Sequence, residues 1–107
     1  MSGLMSRNKG KAGEREVAEL LRKHGFEARR GQQFQGGPGS PDVVHSIAGI
    51  HIEVKRSETL NLYAALDQAE KDKRESEAAV VFHRRNQKRW VVVMDADTFF
   101  RLVEAIL

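Results

Sequence analysis

Residues 39–56 read GSPDVVHSIAGIHIEVKR. An acid follows a proline at Asp42, and eleven residues later a Glu-x-Lys triplet, Glu53 to Lys55, closes a second run that is otherwise apolar. Charged groups in strand-like segments are expensive to bury, so they are usually absent or have a task. The runs DVVHSI and IHIEVKR meet around Ala48-Gly49, and a two-residue turn there predicts a hairpin in which Val44 faces Glu53 and Asp42 faces Lys55. Alternation then gives one face with Asp42, Val44, Ser46, His51, Glu53 and Lys55. The other carries Val43, His45, Ile47, Ile50, Ile52 and Val54, nearly all core material. In this register Asp42 and Glu53 are diagonal neighbours, roughly 7–8 Å apart at the backbone, within reach of one cation. A bulge at Gly49 would shift the register by one residue.

Two carboxylates beside an ammonium make chemical sense together. Hard oxygen ligands suit Mg²⁺ or Mn²⁺, and Mg²⁺ keeps several waters rather than demanding a full protein cage. Such an ion orients or deprotonates a water and stabilises charge on a phosphate during in-line displacement, with Lys55 placed to hold the water or neutralise the phosphate oxygens. The same spacing also describes a surface hairpin with a cross-strand Asp42–Lys55 pair, worth about 0.2–1 kcal/mol. The first helical segment adds a third acid. At about 100° per residue, Glu14 shares a stripe with Val17, Ala18 and Leu21, while Glu16 and Glu19 point away. Alone, Glu14 would be a partner for the helix dipole. With Asp42 and Glu53 it closes over one site.

Working outward, Lys11 to His24 has helical periodicity and Gly25 is placed to end it. Phe26 to Arg30 reads as a short strand, and Leu60 to Ser76 as a second helix. AAVVFH and RWVVVM are strand runs around a basic segment, and Ala96 to Leu107 forms a final helix with Asp95 or Asp97 as its cap. The order α-β-β-β-α-β-β-α predicts an α/β single domain, a central mixed β-sheet flanked by helices. Residues 1–10 read as a basic, flexible N-terminal arm before a domain spanning 11–107, and the glycines of Gly31 to Ser40 suggest a mobile loop.

A chain of 107 residues with 40% hydrophobic and 31% charged residues has room for one modest core and is not of disordered composition. The absence of cysteine excludes disulfides and thiolate metal sites and suits a reducing compartment. No apolar run approaches the roughly 20 residues of a membrane span, and the first residues lack a signal-peptide core, so a cytoplasmic location is expected. Net charge is +3 and the pI about 9.5, compatible with a polyanionic partner. Cations concentrate before residue 31 and again at Arg84, Arg85, Lys88 and Arg89. His24, His45, His51 and His83 lack zinc-type spacing, although His51 shares the face of Glu53. Trp90 is expected in the core, and Tyr63 and Phe34 are expected to pack.

KGKAGERE on the first helix, GFEARRG after it, then PD and EVK together resemble the PD-(D/E)XK nuclease superfamily, and most closely the archaeal-type and phage Holliday-junction resolvases. The resemblance runs from about Asn8 to Gln68, and the order of elements fits it to the last helix. It implies a restriction-endonuclease-like fold and a metal-dependent, structure-selective endodeoxyribonuclease acting on four-way DNA junctions, with Mg²⁺ as cofactor and Mn²⁺ able to substitute. It makes Asp42, Glu53 and the backbone carbonyl of Val54 metal ligands, Lys55 the catalytic lysine and Glu14 the helix-borne acid that positions metal or water. Gln68 corresponds to a polar position near such sites, and Arg15 and Arg30 to cations on the phosphate backbone. Lys9, Lys11, Arg29, Arg56, Arg84 and Arg85 complete the expected DNA-binding set. A homodimer is also implied, and the wide apolar surface of the last helix, with Phe99, Leu102, Val103 and Ile106 on its core side and Phe100 and Leu107 beside them, points the same way. Two other readings stay open: the same chemistry on duplex or single-stranded DNA without junction selectivity, and an inactive DNA-binding module. Clustered acids beside a polyanion count against the last.

Overall fold

The computed structural model describes residues 3–31 and 41–107. The mobile-loop expectation and Phe34 therefore lie outside the described residues, apart from Gly31. Eight elements follow in the expected order: α1 (Gly3–Lys23), β1 (Ala28–Arg30), β2 (Val43–His45), β3 (Ile50–Arg56), α2 (Leu62–Asp72), β4 (Ala78–Arg84), β5 (Val91–Val93) and α3 (Ala96–Ile106). They form an α/β domain with a mixed sheet flanked by three helices. Helix α1 starts earlier than its periodic segment suggested and takes in residues 3–10.

The strand pairing departs from the expected hairpin. β2 pairs antiparallel with β1, Arg29 opposite Val44, in a two-stranded ribbon. β3 instead pairs in parallel with β4, Glu53 opposite Val81, and β5 joins the far side of β4 antiparallel, giving a three-stranded sheet β3-β4-β5. Val44 and Glu53 are therefore not ladder partners, nor are Asp42 and Lys55. Side chains occupy the backbone donors a hairpin would have used: His45 Nδ1 accepts from the Ile47 N–H at 3.1 Å, and Asp42 Oδ2 from the Val54 N–H at 2.7 Å. Gly49, at φ 79°, turns the chain out of β2 in a conformation that suits glycine.

Parallel pairing needs a crossover, and α2 supplies it, covering the second face of the sheet. On one face Val17, Ala18 and Leu21 of α1 pack with Val43, Ile52, Val54 and Val80. On the other, Ala65 and Ala69 of α2 meet Ala79 and Val81. The small alanines let the helix lie close. His51 and Glu53, expected on an open charged face, are consequently buried. Among the described residues of α3 only Thr98 is buried; Phe99 and Ile106, expected in the core, are exposed, as is Tyr63 of α2. No described helix is long and apolar enough to cross a membrane.

Candidate active site

Asp42 lies just before β2 and Glu53 in the middle of β3, and each is only 7% exposed. Carboxylates at that depth are uncommon unless paired or ligating. The Asp42–Val54 hydrogen bond fixes the acid against the backbone between Glu53 and Lys55. The chain before it is held as well: the Gly31 N–H donates to the Asp42 carbonyl at 2.8 Å, and a Cβ at Gly31 would come within 2.0 Å of the Pro41 carbonyl oxygen, so only glycine fits.

Residues 51, 53 and 55 alternate onto one side of β3. The two oxygens of Glu53 are divided between the flanking residues: Oε1 lies 3.5 Å from His51 Nε2 and Oε2 lies 3.9 Å from Lys55 Nζ. Burial pulls the His51 pKa down, but the Glu53 carboxylate, with smaller contributions from Glu77 and Asp42, outweighs it and leaves the imidazole above its ordinary value. Lys55 reaches further out, its side chain 39% exposed.

Glu14 projects from α1 one turn before Val17, as its stripe required, but its Oε1 accepts from Arg30 Nε at 2.8 Å. Sequence reasoning assigned these two residues separate tasks, and the fold joins them in an ion pair between α1 and β1. Gln68 sits exposed on α2, its Nε2 donating to Asp72 Oδ2 at 2.6 Å.

Glu16 lies off the apolar stripe that Glu14 shares, and the fold gives it a larger part. Its Oε1 accepts from Arg84 Nη1 and, at 3.2 Å, from Trp90 Nε1, while Oε2 lies 3.7 Å from Arg56 Nε. Arg56 and Arg84 are register partners at the ends of β3 and β4, so one carboxylate ties α1 to both strands and to the residue before β5. Trp90 is half-buried against the α1 side of the core, as expected, and the acid satisfies its indole N–H. The available signal was the pair of arginines closing two core strands, each in need of an anion. Lys9 meets Glu58 at 3.5 Å, whereas Lys11, Arg15, Arg29 and Arg85 are exposed. Arg84, Arg85, Lys88 and Arg89 line an open groove of about 990 Å³, together with Leu60 and Val93.

The fold thus sets buried Asp42 against the strand that carries buried Glu53 and, two residues on, Lys55, the residue types of the PD and EVK motifs. The family model of the archaeal Holliday junction resolvase (Hjc) matches residues 5–98 of the chain, from the first turns of α1 to the start of α3. The chain belongs to that family. It is accordingly a Holliday junction resolvase, an endonuclease of DNA recombination and repair that acts on branched DNA. A search of the curated proteins gave no match.

Resolvase nucleases generally use a divalent metal, and the donor chemistry of the site fits one. Two buried carboxylates and the carbonyl of the residue between Glu53 and Lys55 are hard oxygens of the kind Mg²⁺ or Mn²⁺ takes. Among the described residues no three Asp, Glu, His or Cys side chains gather closely enough to cage an ion alone. An ion held by so few protein oxygens would keep waters in its shell, which hydrolytic use of a metal requires.

Proposed function

We propose that the resolvase hydrolyses junction phosphodiesters with Mg²⁺, which Mn²⁺ can replace, held by Asp42, Glu53 and the backbone carbonyl of Val54. The ion supplies Lewis-acid stabilisation of the phosphate and a water of lowered pKa. Asp42 is pre-aimed by its hydrogen bond from Val54, so no reorganisation is needed to present its carboxylate. Lys55, the most exposed of the three, orients the attacking water or neutralises the phosphate oxygens. Glu14 is the helix-borne acid beside the metal or water, and its pairing with Arg30 keeps both close to the phosphate's path. Gln68 contributes a polar contact from α2. The observation that carries this reading is the burial of Asp42 and Glu53 beside Lys55, a costly arrangement that chemistry explains.

DNA lies across Lys9, Lys11, Arg15, Arg29 and Arg30 on one side and Arg56, Arg84 and Arg85 on the other. Two copies of the chain, joined through the exposed apolar face of α3, present two active sites for symmetric cutting of a four-way junction in the cytoplasm. Comparing Glu53→Ala with the natural protein tests the assignment: cleavage is abolished while junction binding in a gel shift is kept. Equal cleavage by both proteins would remove Glu53 from the mechanism.

A further inference from the structure

His51 is an unexpected residue for its place. Its side chain is 3% exposed on a strand whose other buried neighbours, apart from Glu53, are apolar, and its Nε2 is fully buried without a hydrogen-bond partner among the described residues. A buried polar atom left unsatisfied calls for an explanation, because an apolar side chain would sit there at lower cost. The atom points to one group, Oε1 of Glu53 at 3.5 Å. That is longer than a usual hydrogen bond but within ion-pair range. The other carboxylate oxygen, Oε2, faces Lys55. His51 and Lys55 thus flank Glu53 from either side along one face of β3, one buried and one open to solvent.

We infer that His51 is a positioning residue for Glu53. In its Nε2–H form the imidazole holds Oε1 and so turns Oε2 toward Lys55 and the side from which a cation and the phosphate approach. Ligating carboxylates are commonly oriented by such a partner, whose loss typically weakens metal affinity 10- to 100-fold. This inference rests on the proposed reading of Glu53 as a metal ligand.

The test uses the full chain and Mn²⁺ alone, without DNA, with free Mn²⁺ read by electron paramagnetic resonance. Three variants are compared with the natural protein, each first checked for a native melting profile: Glu53→Ala, His51→Leu and His51→Gln. Glu53→Ala is expected to lose the site. His51→Leu is expected to weaken Mn²⁺ binding by about 10- to 100-fold and to lower kcat without changing junction affinity. His51→Gln, whose amide keeps an N–H donor for Oε1, is expected to recover most of the loss, which a merely space-filling role would not produce. If His51→Leu binds Mn²⁺ like the natural protein while Glu53→Ala does not, His51 has no positioning role and the metal-site reading stands. Glutamine and leucine giving the same loss would likewise overturn the inference. Undiminished Mn²⁺ binding by Glu53→Ala would instead overturn the metal-site reading.

Discussion

Asp42 Oδ2 accepts a 2.7 Å hydrogen bond from the backbone N–H of Val54, so the acid before β2 is tethered to the residue between Glu53 and Lys55. Removing the acceptor separates structure from chemistry. Asp42→Ala leaves a buried N–H without this acceptor and is expected to lower stability by about 1–3 kcal/mol in urea unfolding. Asp42→Asn keeps an oxygen for Val54 and should unfold close to the natural protein. If Asp42→Asn is as unstable as Asp42→Ala, the negative charge rather than the hydrogen bond holds this corner together.

The element order was legible in the sequence because it is local. Helical spacing in α1 and apolar runs in β3 and β4 are properties of a dozen residues at a time. The partner of β3 was not legible, because it lies beyond α2, and proximity along the chain favoured a hairpin with β2 that the fold does not make. Asp42 reaches the Glu53–Lys55 strand nonetheless, by a side-chain bond to Val54 instead of the ladder pair that the hairpin would have made. Glu16 escaped notice for the same reason as the sheet order. Its partners Arg84 and Trp90 are 68 and 74 residues further along, and no short window contains them.

Glu16 holds Arg84, Trp90 and Arg56 at once, and the Arg56 side chain is only 12% exposed. Glu16→Ala should therefore destabilise the fold by about 1–3 kcal/mol, well beyond an ordinary surface substitution. Urea unfolding measures it, and a change within about 0.5 kcal/mol would show that the carboxylate is not a clamp.

Gly13 and Gly10 both lie in α1, where alanine is the better helix former by about 1 kcal/mol. A Cβ at Gly13 would stand 2.6 Å from Arg56 Cβ, an atom close to the backbone that cannot swing aside; at Gly10 it would meet nothing within 4 Å. Gly10→Ala is expected to raise stability, and Gly13→Ala to lower it by about 1–3 kcal/mol through overpacking of α1 against β3. The same sign for both would mean that α1 does not approach β3 this closely.

Asp95 caps α3, its carboxylate accepting from the Thr98 N–H at 2.8 Å, and that bond lowers its pKa below the ordinary 3.8. A depressed carboxylate pKa contributes stability that is complete above 3.8 and is lost as pH falls through the lower folded value. Asp95→Asn keeps a capping oxygen without a titrating group, so its stability should depend less on pH below about 4. Asp95→Ala should cost about 1 kcal/mol at neutral pH. Melting curves between pH 2 and 7 decide it, and an acid limb of the same slope in Asp95→Asn would exclude the cap.

Phe99, Phe100 and Ile106 leave half or more of their surface in water on one short helix. Such a patch fits a two-fold contact. Light scattering at micromolar concentration should give twice the 12.1 kDa chain mass, and Phe100→Glu with Ile106→Glu should give the single chain. A natural protein that scatters as a monomer would contradict the dimer.

The most direct test of the account places purified protein and Mg²⁺ on an immobile four-way junction beside a linear duplex carrying the same arms, with Asp42→Asn as control. Paired, symmetric nicks are expected in the junction alone, abolished by Asp42→Asn and by chelation of the metal. Equal cutting of junction and duplex, or junction cutting that survives Asp42→Asn, would contradict it.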